Sequence, residues 1–520
     1  MGSTRCSGGA RRRLIAALAV IGGFCQSANG ADWLRAETDH FVIYSDVGRS
    51  ATREYLEQLE AFKFLSEMLL GSGEESAART ARFTIYLLED RDDLRVVRPD
   101  FHQYVAGVYL HCIEGAQAYA YQPPTALGEQ EAGLRVLLHE YAHHVMYSRL
   151  RGFYPAWYVE GFAEYLSTVS LRGNVYSIGA SQQERLLWLE SASRVWIGWD
   201  VMLDPKRFAE AVKAKQVDSL QFYAQAWLLA HYMLSDSDRV KGFNQYFESV
   251  GRGEDALPAF EAATGMTAAK LDKALRAHMR RLPGMRVKVP QLPEAAVRIA
   301  ELPKEQGDYL LSASVNRTCP AQEQGKHILE SLRAMKAKHD RETAFRIELS
   351  RAELLFGDRE SARKELELLV KQEPSNFDVL YLLGRSYYEA AQTSDAQRAD
   401  LMTKASREFL IAYRLDKLYA PNLYFLAKSL DDYSTPSKAV VNSAMGAAVL
   451  APSVFEYAMH AATISLRAGD REAAVHVLQP FASNPHSPEL AGQVAAMIDA
   501  IRDGKDLPEV MDTISEKPAE

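Results

Sequence analysis

Cysteine is scarce in this sequence. The 520-residue chain has four, and two of them, Cys6 and Cys25, fall within its first thirty residues. The others, Cys112 and Cys319, lie far apart, which excludes a disulfide framework of closely spaced bridges. At this level they either pair with each other or stay as buried thiols. Basic charge is also in short supply: the formal net charge is −8, so neither nucleic acid nor an anionic membrane is a favoured partner. Long apolar runs are missing apart from Leu14–Phe24. That run is too short to span a bilayer, follows Arg5, Arg11, Arg12 and Arg13 with no acidic residue, and leads into Ser27-Ala-Asn-Gly-Ala31. This is the pattern of a secretory signal peptide over residues 1–30. Removing its four arginines takes the charge to −12. A bacterial periplasmic or secreted protein is expected, with no membrane span in its mature part.

What the sequence does have is concentrated in Leu134–Met146, L-R-V-L-L-H-E-Y-A-H-H-V-M. His139, Glu140 and His143 form H-E-x-x-H. Residues four apart are neighbours on one helix face, so two imidazoles at this spacing can share one tetrahedral Zn²⁺, with the intervening glutamate reaching a water on that ion. A carboxylate suits that place because it can take the water's proton and later return it to a leaving amine. Leu134, Val136, Leu137, Leu138, Val145 and Met146 would bury such a helix. Histidines on an apolar helix can also be ordinary core residues, so the neighbourhood matters.

Downstream runs Tyr154-Pro-Ala-Trp-Tyr-Val-Glu-Gly-Phe-Ala-Glu-Tyr165. Gly152 and Pro155 end the first helix, and Trp157–Ser167 reads as a second one starting near Pro155. A short turn returns it antiparallel, so Glu160 can face the first helix, with Glu164 one turn later on the same side. H-E-x-x-H followed by W-x-x-E-G-x-A-E-Y resembles the gluzincin branch of zinc metallopeptidases, and within it the bacterial peptidase-MA-like domains that are often fused to helical repeats. The resemblance implies an α+β zincin-like fold, zinc ligands His139, His143 and Glu160, Glu140 as general base, and Glu164 as the carboxylate that orients a ligand histidine. The metzincin pattern does not fit, since Met146 and Arg149 stand where it needs Gly and His. Neither cysteine is then needed as a ligand.

Along the chain, Trp33–Ser45 reads as a strand, Ser50–Leu70 as an amphipathic helix, Ala81–Leu88 as a buried strand and Asp90–Val97 as a short helix. Ala106–His111 and Gln117–Gln122 look like a hairpin. Gln117–Gln122 is expected at the sheet edge nearest the cleft, where an extended peptide could add as one more strand. Leu171–Ile178 holds a turn at Gly173-Asn174 between short strands. Ser219–Met233 is a second apolar helix, offering Tyr223 or His231 as donor to a developing oxyanion. Tyr223 lies in Y-A-Q-A-W, similar to a stretch in the peptidase-MA-like family; both residues also read as core. Helices within Ala259–Leu275 close a metallopeptidase domain over 31–282. Prolines 283, 290, 293 and 303 mark a linker over 283–324.

The period then changes. Gly357, Ala362 and Pro374 sit at tetratricopeptide signature spacings, as do Leu383, Gly384 and Tyr387, with Ala405 displaced by an insertion around Gln392–Thr403. Ala427, Ala439 and Pro452, then Gly469 and Ala474, continue the series. An all-α array resembling tetratricopeptide repeats is expected over 325–504, followed by a loose tail at 505–520.

The expected function is that of a Zn²⁺-dependent peptidase acting on peptide or protein, an endopeptidase because no G-A-M-E-N-like stretch is present to anchor an amino terminus. The repeats would recruit substrate or a protein partner, which could also gate a latent enzyme. The competing reading is an envelope scaffold whose zinc domain is structural or weakly active. Against it, structural zinc usually has four protein ligands.

Overall fold

A computed structural model describes residues 32–70, 81–101, 105–122, 127–149, 154–172, 175–180, 183–191, 195–282, 284–288, 295–483 and 487–505. The expected signal peptide, nearly all of the expected tail, Gly152 and the Gly173-Asn174 turn lie outside them. In the N-terminal half the strands are β1 (Leu34–Glu37), β2 (Phe41–Ser45), β3 (Phe83–Leu88), β4 (Gly107–Cys112), β5 (Gly115–Tyr121), β6 (Ser170–Arg172), β7 (Val175–Ile178), β8 (Met285–Lys288) and β9 (Arg298–Glu301). The helices there are α1 (Arg49–Leu70), α2 (Asp93–Val97), α3 (Leu127–Arg149), α4 (Ala156–Leu166), α5 (Gln183–Glu190), α6 (Trp199–Met202), α7 (Pro205–Lys213), α8 (Ser219–Leu234), α9 (Ser237–Gly251), α10 (Ala256–Thr264) and α11 (Ala268–Met279). The architecture is a mixed sheet with helices, followed by an all-helical half. Among the described residues no helix is long and apolar enough to cross a membrane.

The main sheet runs β4-β5-β3-β2-β1-β9, with β2, β3 and β5 parallel and the other pairings antiparallel. Alternation along a strand sends neighbouring residues to opposite faces. Ile43, Ile85 and Ala118 align across β2, β3 and β5 and are buried in the core shared with α1 and α3. One residue on, Tyr44, Tyr86 and Tyr119 align on the other face, their rings stacked 5.2 and 5.0 Å apart.

That second face is covered only in part, since Tyr44, Thr84, Tyr86 and Gln117 also line a cavity of about 1170 Å³. It packs against α12 (Leu310–Val315), α13 (Gln322–His339) and α14 (Thr343–Phe356), where Tyr309, Leu311, Val315, Ile328, Leu332 and Phe345 meet Tyr86, Leu88 and Tyr119. The helical half continues with α15 (Arg359–Gln372), α16 (Phe377–Ala391), α17 (Arg398–Leu415), α18 (Ala420–Leu430), α19 (Lys438–Leu450), α20 (Phe455–Arg467), α21 (Arg471–Leu478) and α22 (Pro488–Arg502). Consecutive helices pair as α14 with α15, α16 with α17, α18 with α19 and α20 with α21. Of the small residues read from the sequence, Ala362, Gly384, Ala405, Ala427 and Ala474 are buried where these helices meet, whereas Gly357, Ala439 and Gly469 are exposed. A Cβ on Gly384 of α16 would stand 2.7 Å from the Phe409 ring of α17.

Three expectations need correction. Trp33–Ser45 is not one strand but a hairpin, in which β1 and β2 pair antiparallel around a turn at residues 38–40. Gln117–Gln122 is not the edge: β5 is flanked by β3 and β4, and β4 is outermost. Ala118, Tyr119 and Ala120 are accordingly about 1% exposed, whereas β4 is only partly buried. Alternation identifies both arms of a hairpin but not which arm is outer. Residues 283–324 are more than a linker as well. They supply β8, which pairs with β7, β9, which pairs with β1, and α12, which covers part of the tyrosine row.

The two halves therefore share a core. A segment ending at residue 282 would expose Tyr86, Leu88 and Tyr119 and lose β9, a combination that favours aggregation. Residues 32–282 expressed alone are expected to be insoluble, while the full chain is soluble and unfolds in one cooperative thermal transition. Soluble yield and the melting profile of both check this.

Candidate metal centre

Leu137, Leu138, Tyr141, Ala142, Val145 and Met146 bury helix α3 nearly fully, and Tyr141 meets the sheet, its ring 5.1 and 5.7 Å from those of Phe41 and Phe83. Two positions to either side of Tyr141, His139 and His143 point the other way, toward α4. Helix α4 begins after Pro155 and is buried at every residue from Trp157 to Leu166. Glu160 and Glu164 are thus not a solvated face: Glu160 is 0% exposed.

The donor atoms converge. His139 Nε2 and His143 Nε2 lie 3.1 Å apart. Glu160 Oε2 is 3.4 Å from the first ring and Oε1 3.5 Å from the second. Around a tetrahedral zinc with bonds of about 2.0–2.1 Å, donor atoms stand about 3.3–3.4 Å from one another. The three side chains offer one donor atom each within 4.8 Å of the others, and among the described residues they form a group able to hold a metal ion. His139 Nδ1, on the far side of its ring, is 3.5 Å from Glu164 Oε1. Glu164 is itself held by a two-pronged contact from Arg185 of α5, Nε to Oε2 at 3.1 Å and Nη2 to Oε1 at 2.6 Å.

The electrostatics favour positive charge on His139. Burial alone would lower the His139 pKa, but the hydrogen bond and charge of Glu160, with the charges of Glu164 and Glu140, outweigh it and raise the pKa to about 9. Glu140 borders the same space, since its charge also bears on Tyr109 of β4 and Tyr223 of α8. Burial, reinforced by Glu160, Glu164 and Glu140, holds the Tyr223 phenol well above its usual range despite Arg185, whose guanidinium lies 5.4 Å over the ring. The phenol therefore keeps its proton and acts as a donor. His144 is no part of this cluster. It lies 5.7 Å from Tyr141, with the rings stacked, and burial lowers its pKa to about 4.

Of the two donor candidates on α8, the structure brings only Tyr223 to the cluster. His231 is two turns deeper and fully buried, with Nδ1 2.9 Å from His278 Nε2 and Nε2 3.1 Å from the Gly179 carbonyl. What carries Tyr223 to its place is Gly161. A Cβ there would sit 2.2 Å from the Ala226 carbonyl oxygen, so α4 and α8 touch backbone to backbone beside Glu160. The sequence contained Gly161 within its motif without revealing this contact. Arg185 and Tyr109 carried no local signal at all.

Comparison with known proteins returned no match: no family model, no curated protein and no solved structure matches this chain.

In the metal-free protein His139 has a folded pKa near 9 against about 6.5 when unfolded. The folded state then binds the extra proton, so this contribution to stability is complete below about pH 6.5 and is lost as pH rises through 9. Denaturant titrations of chelator-treated protein across that range are expected to show stability falling with pH, and Glu160→Gln to flatten the slope.

Proposed function

We propose that the chain is a zinc-dependent peptidase, most simply an endopeptidase, of the gluzincin type. The observation that carries this reading is the convergence of His139 Nε2 and His143 Nε2, 3.1 Å apart, on the buried Glu160 carboxylate, whose two oxygens lie 3.4 and 3.5 Å from them. Zinc, when bound there, supplies a Lewis acid that polarises a carbonyl and lowers the pKa of a water toward about 7. The chain's own residues do the rest. Glu140 takes the proton of the attacking water and passes it to the departing amine. Tyr223, protonated, donates its O–H toward the oxyanion as the carbonyl becomes tetrahedral. Glu164, fixed by Arg185, accepts from His139 Nδ1–H and so leaves Nε2 as the coordinating nitrogen. The outer edge of β4, beside Glu140, is where an extended peptide backbone would pair.

Export to the periplasm or beyond is part of the same reading. Its support is the Cys112–Cys319 disulfide, a bond that persists in oxidising compartments. A scaffold in which zinc is structural would have no use for Glu140 or for a protonated tyrosine beside it.

Purified mature protein is expected to hold close to one zinc per chain and to cleave unfolded protein in a chelator-sensitive manner. Glu140→Gln should keep the metal and lose cleavage. Metal retained by a wild type that cleaves nothing would favour the scaffold. Removing the Tyr223 hydroxyl as Tyr223→Phe should lower kcat about 10²–10³-fold with KM little changed. Arg185→Met should weaken zinc affinity about 10–100-fold through Glu164 and His139, read by competition with a chromogenic chelator.

A further inference from the structure

Part of the inner surface of the helical array is occupied by the same chain, beside the cavity of about 1170 Å³ that Phe377, Asp378, Leu418 and Tyr419 line from the array and Gly115 and Gln117 from the sheet. The β4–β5 hairpin ends in Ile113-Glu114, and three of the helix pairs converge on this turn. Glu114, 5% exposed, accepts hydrogen bonds from Arg385 of α16 and, at 3.3 Å, from the Tyr381 hydroxyl. Arg351 of α14, 0% exposed, stands 3.9 Å from the same carboxylate. Tyr457 of α20 donates to the Ile113 carbonyl at 2.8 Å, and the Ile113 side chain packs into the array's own core. Beside the turn, Cys112 is bonded to Cys319, just before α13.

The contact continues along β4 toward the metal centre. Tyr109 shares a 2.9 Å hydrogen bond with Ser453 in the turn between α19 and α20. Its ring stacks on Phe83 at 5.6 Å, and Glu140 is close enough to bear on its hydroxyl. Strand β4 therefore lies between the array and the residue assigned as general base.

A buried ion cluster is a costly way to glue two surfaces, since an apolar contact of the same size would serve equally well. What it adds is a single allowed register. Repeat arrays commonly bind ligands on their inner surface, and here part of that surface holds the chain's own hairpin.

We propose that the array is a positioning clamp. Glu114, gripped by Arg385 and Arg351, together with the Cys112–Cys319 bond, fixes β4 relative to α3, so that the edge offered to an extended peptide keeps a set register from Glu140. This rests on the peptidase reading above. Glu114 and Arg385 are positioning residues; neither touches substrate.

The test uses the full mature chain and two variants, Glu114→Gln and the double variant Cys112→Ser/Cys319→Ser. Three quantities are read: amide hydrogen exchange of Gly107–Cys112 with α3 as internal reference, zinc per chain, and steady-state constants on an extended peptide and on a dipeptide amide too short to pair with a strand. Exchange across β4 is expected to quicken about tenfold or more while α3 and the zinc content stay unchanged, and KM for the extended peptide to rise at least about tenfold with the dipeptide amide unaffected. Unchanged exchange in both variants would overturn the clamp. So would equal losses on both substrates accompanied by loss of zinc, which is the mark of a merely structural contact. If either variant does not fold, Tyr457→Phe, which removes a single hydrogen bond to the turn, is read in the same way. A wild type that binds zinc but cleaves neither substrate sinks the peptidase reading and the positioning role with it, while the exchange data still decide whether the array holds β4.

Discussion

A carboxylate with no exposure, on a helix buried along nearly its whole length, is the constraint around which the N-terminal half is arranged. Taking an ionised carboxylate out of water is costly unless a positive charge faces it. Glu160 meets two imidazoles, and a further carboxylate, Glu164, stands behind one of them. Arg185 offsets Glu164, but two neutral rings cannot balance the charge of Glu160. The raised pKa of His139 expresses the deficit, because without a metal the ring is driven to hold a proton in spite of its burial. A divalent cation meets the same demand with twice the charge and leaves the imidazole neutral, the form that coordinates. The packing serves this balance: α3 turns its apolar stripe to the sheet and its histidines inward, and Gly161 lets α8 close over the cluster with Tyr223.

Much of this was legible because it is local. Spacing of four on a helix sets His139 against His143, and the same spacing on the next helix aligns Glu160 with Glu164. Pro155 caps the start of α4 from an extended conformation, its carbonyl accepting from the Tyr158 and Val159 N–H groups at 2.8 and 3.2 Å. The small residues of the repeats predicted helix pairs, and Gly384 against Phe409 illustrates why.

What the sequence hid depends on partners far along the chain. Strands β8 and β9 are four residues each, and β9 meets a partner more than 250 residues away, so prolines outweighed their weak alternation. Tyr223 and His231 were inseparable on paper because eight positions turn a helix by only about 80° beyond two full turns. Depth separates them, and depth is set by Gly179 and His278. Arg185 is one arginine on an unremarkable amphipathic helix, and only the fold brings it to Glu164. The pairing of Cys112 with Cys319 likewise needed the hairpin to reach the array.

The chain therefore does not divide into an enzyme and an appended arm. The row formed by Tyr44, Tyr86 and Tyr119 is partly covered by the first helices of the array, and the hairpin is gripped by later ones. This joint ownership has a consequence for register. In a strand, a slip of one residue exchanges the two faces, and β4, outermost and only partly buried, has weaker apolar patterning to resist it than β5. A carboxylate fitted between Arg385 and Arg351 has no equivalent position one residue away, since its neighbours are Ile113 and Gly115. The buried ion cluster thus supplies at the tip of the hairpin the register that hydrophobic burial cannot supply along its edge.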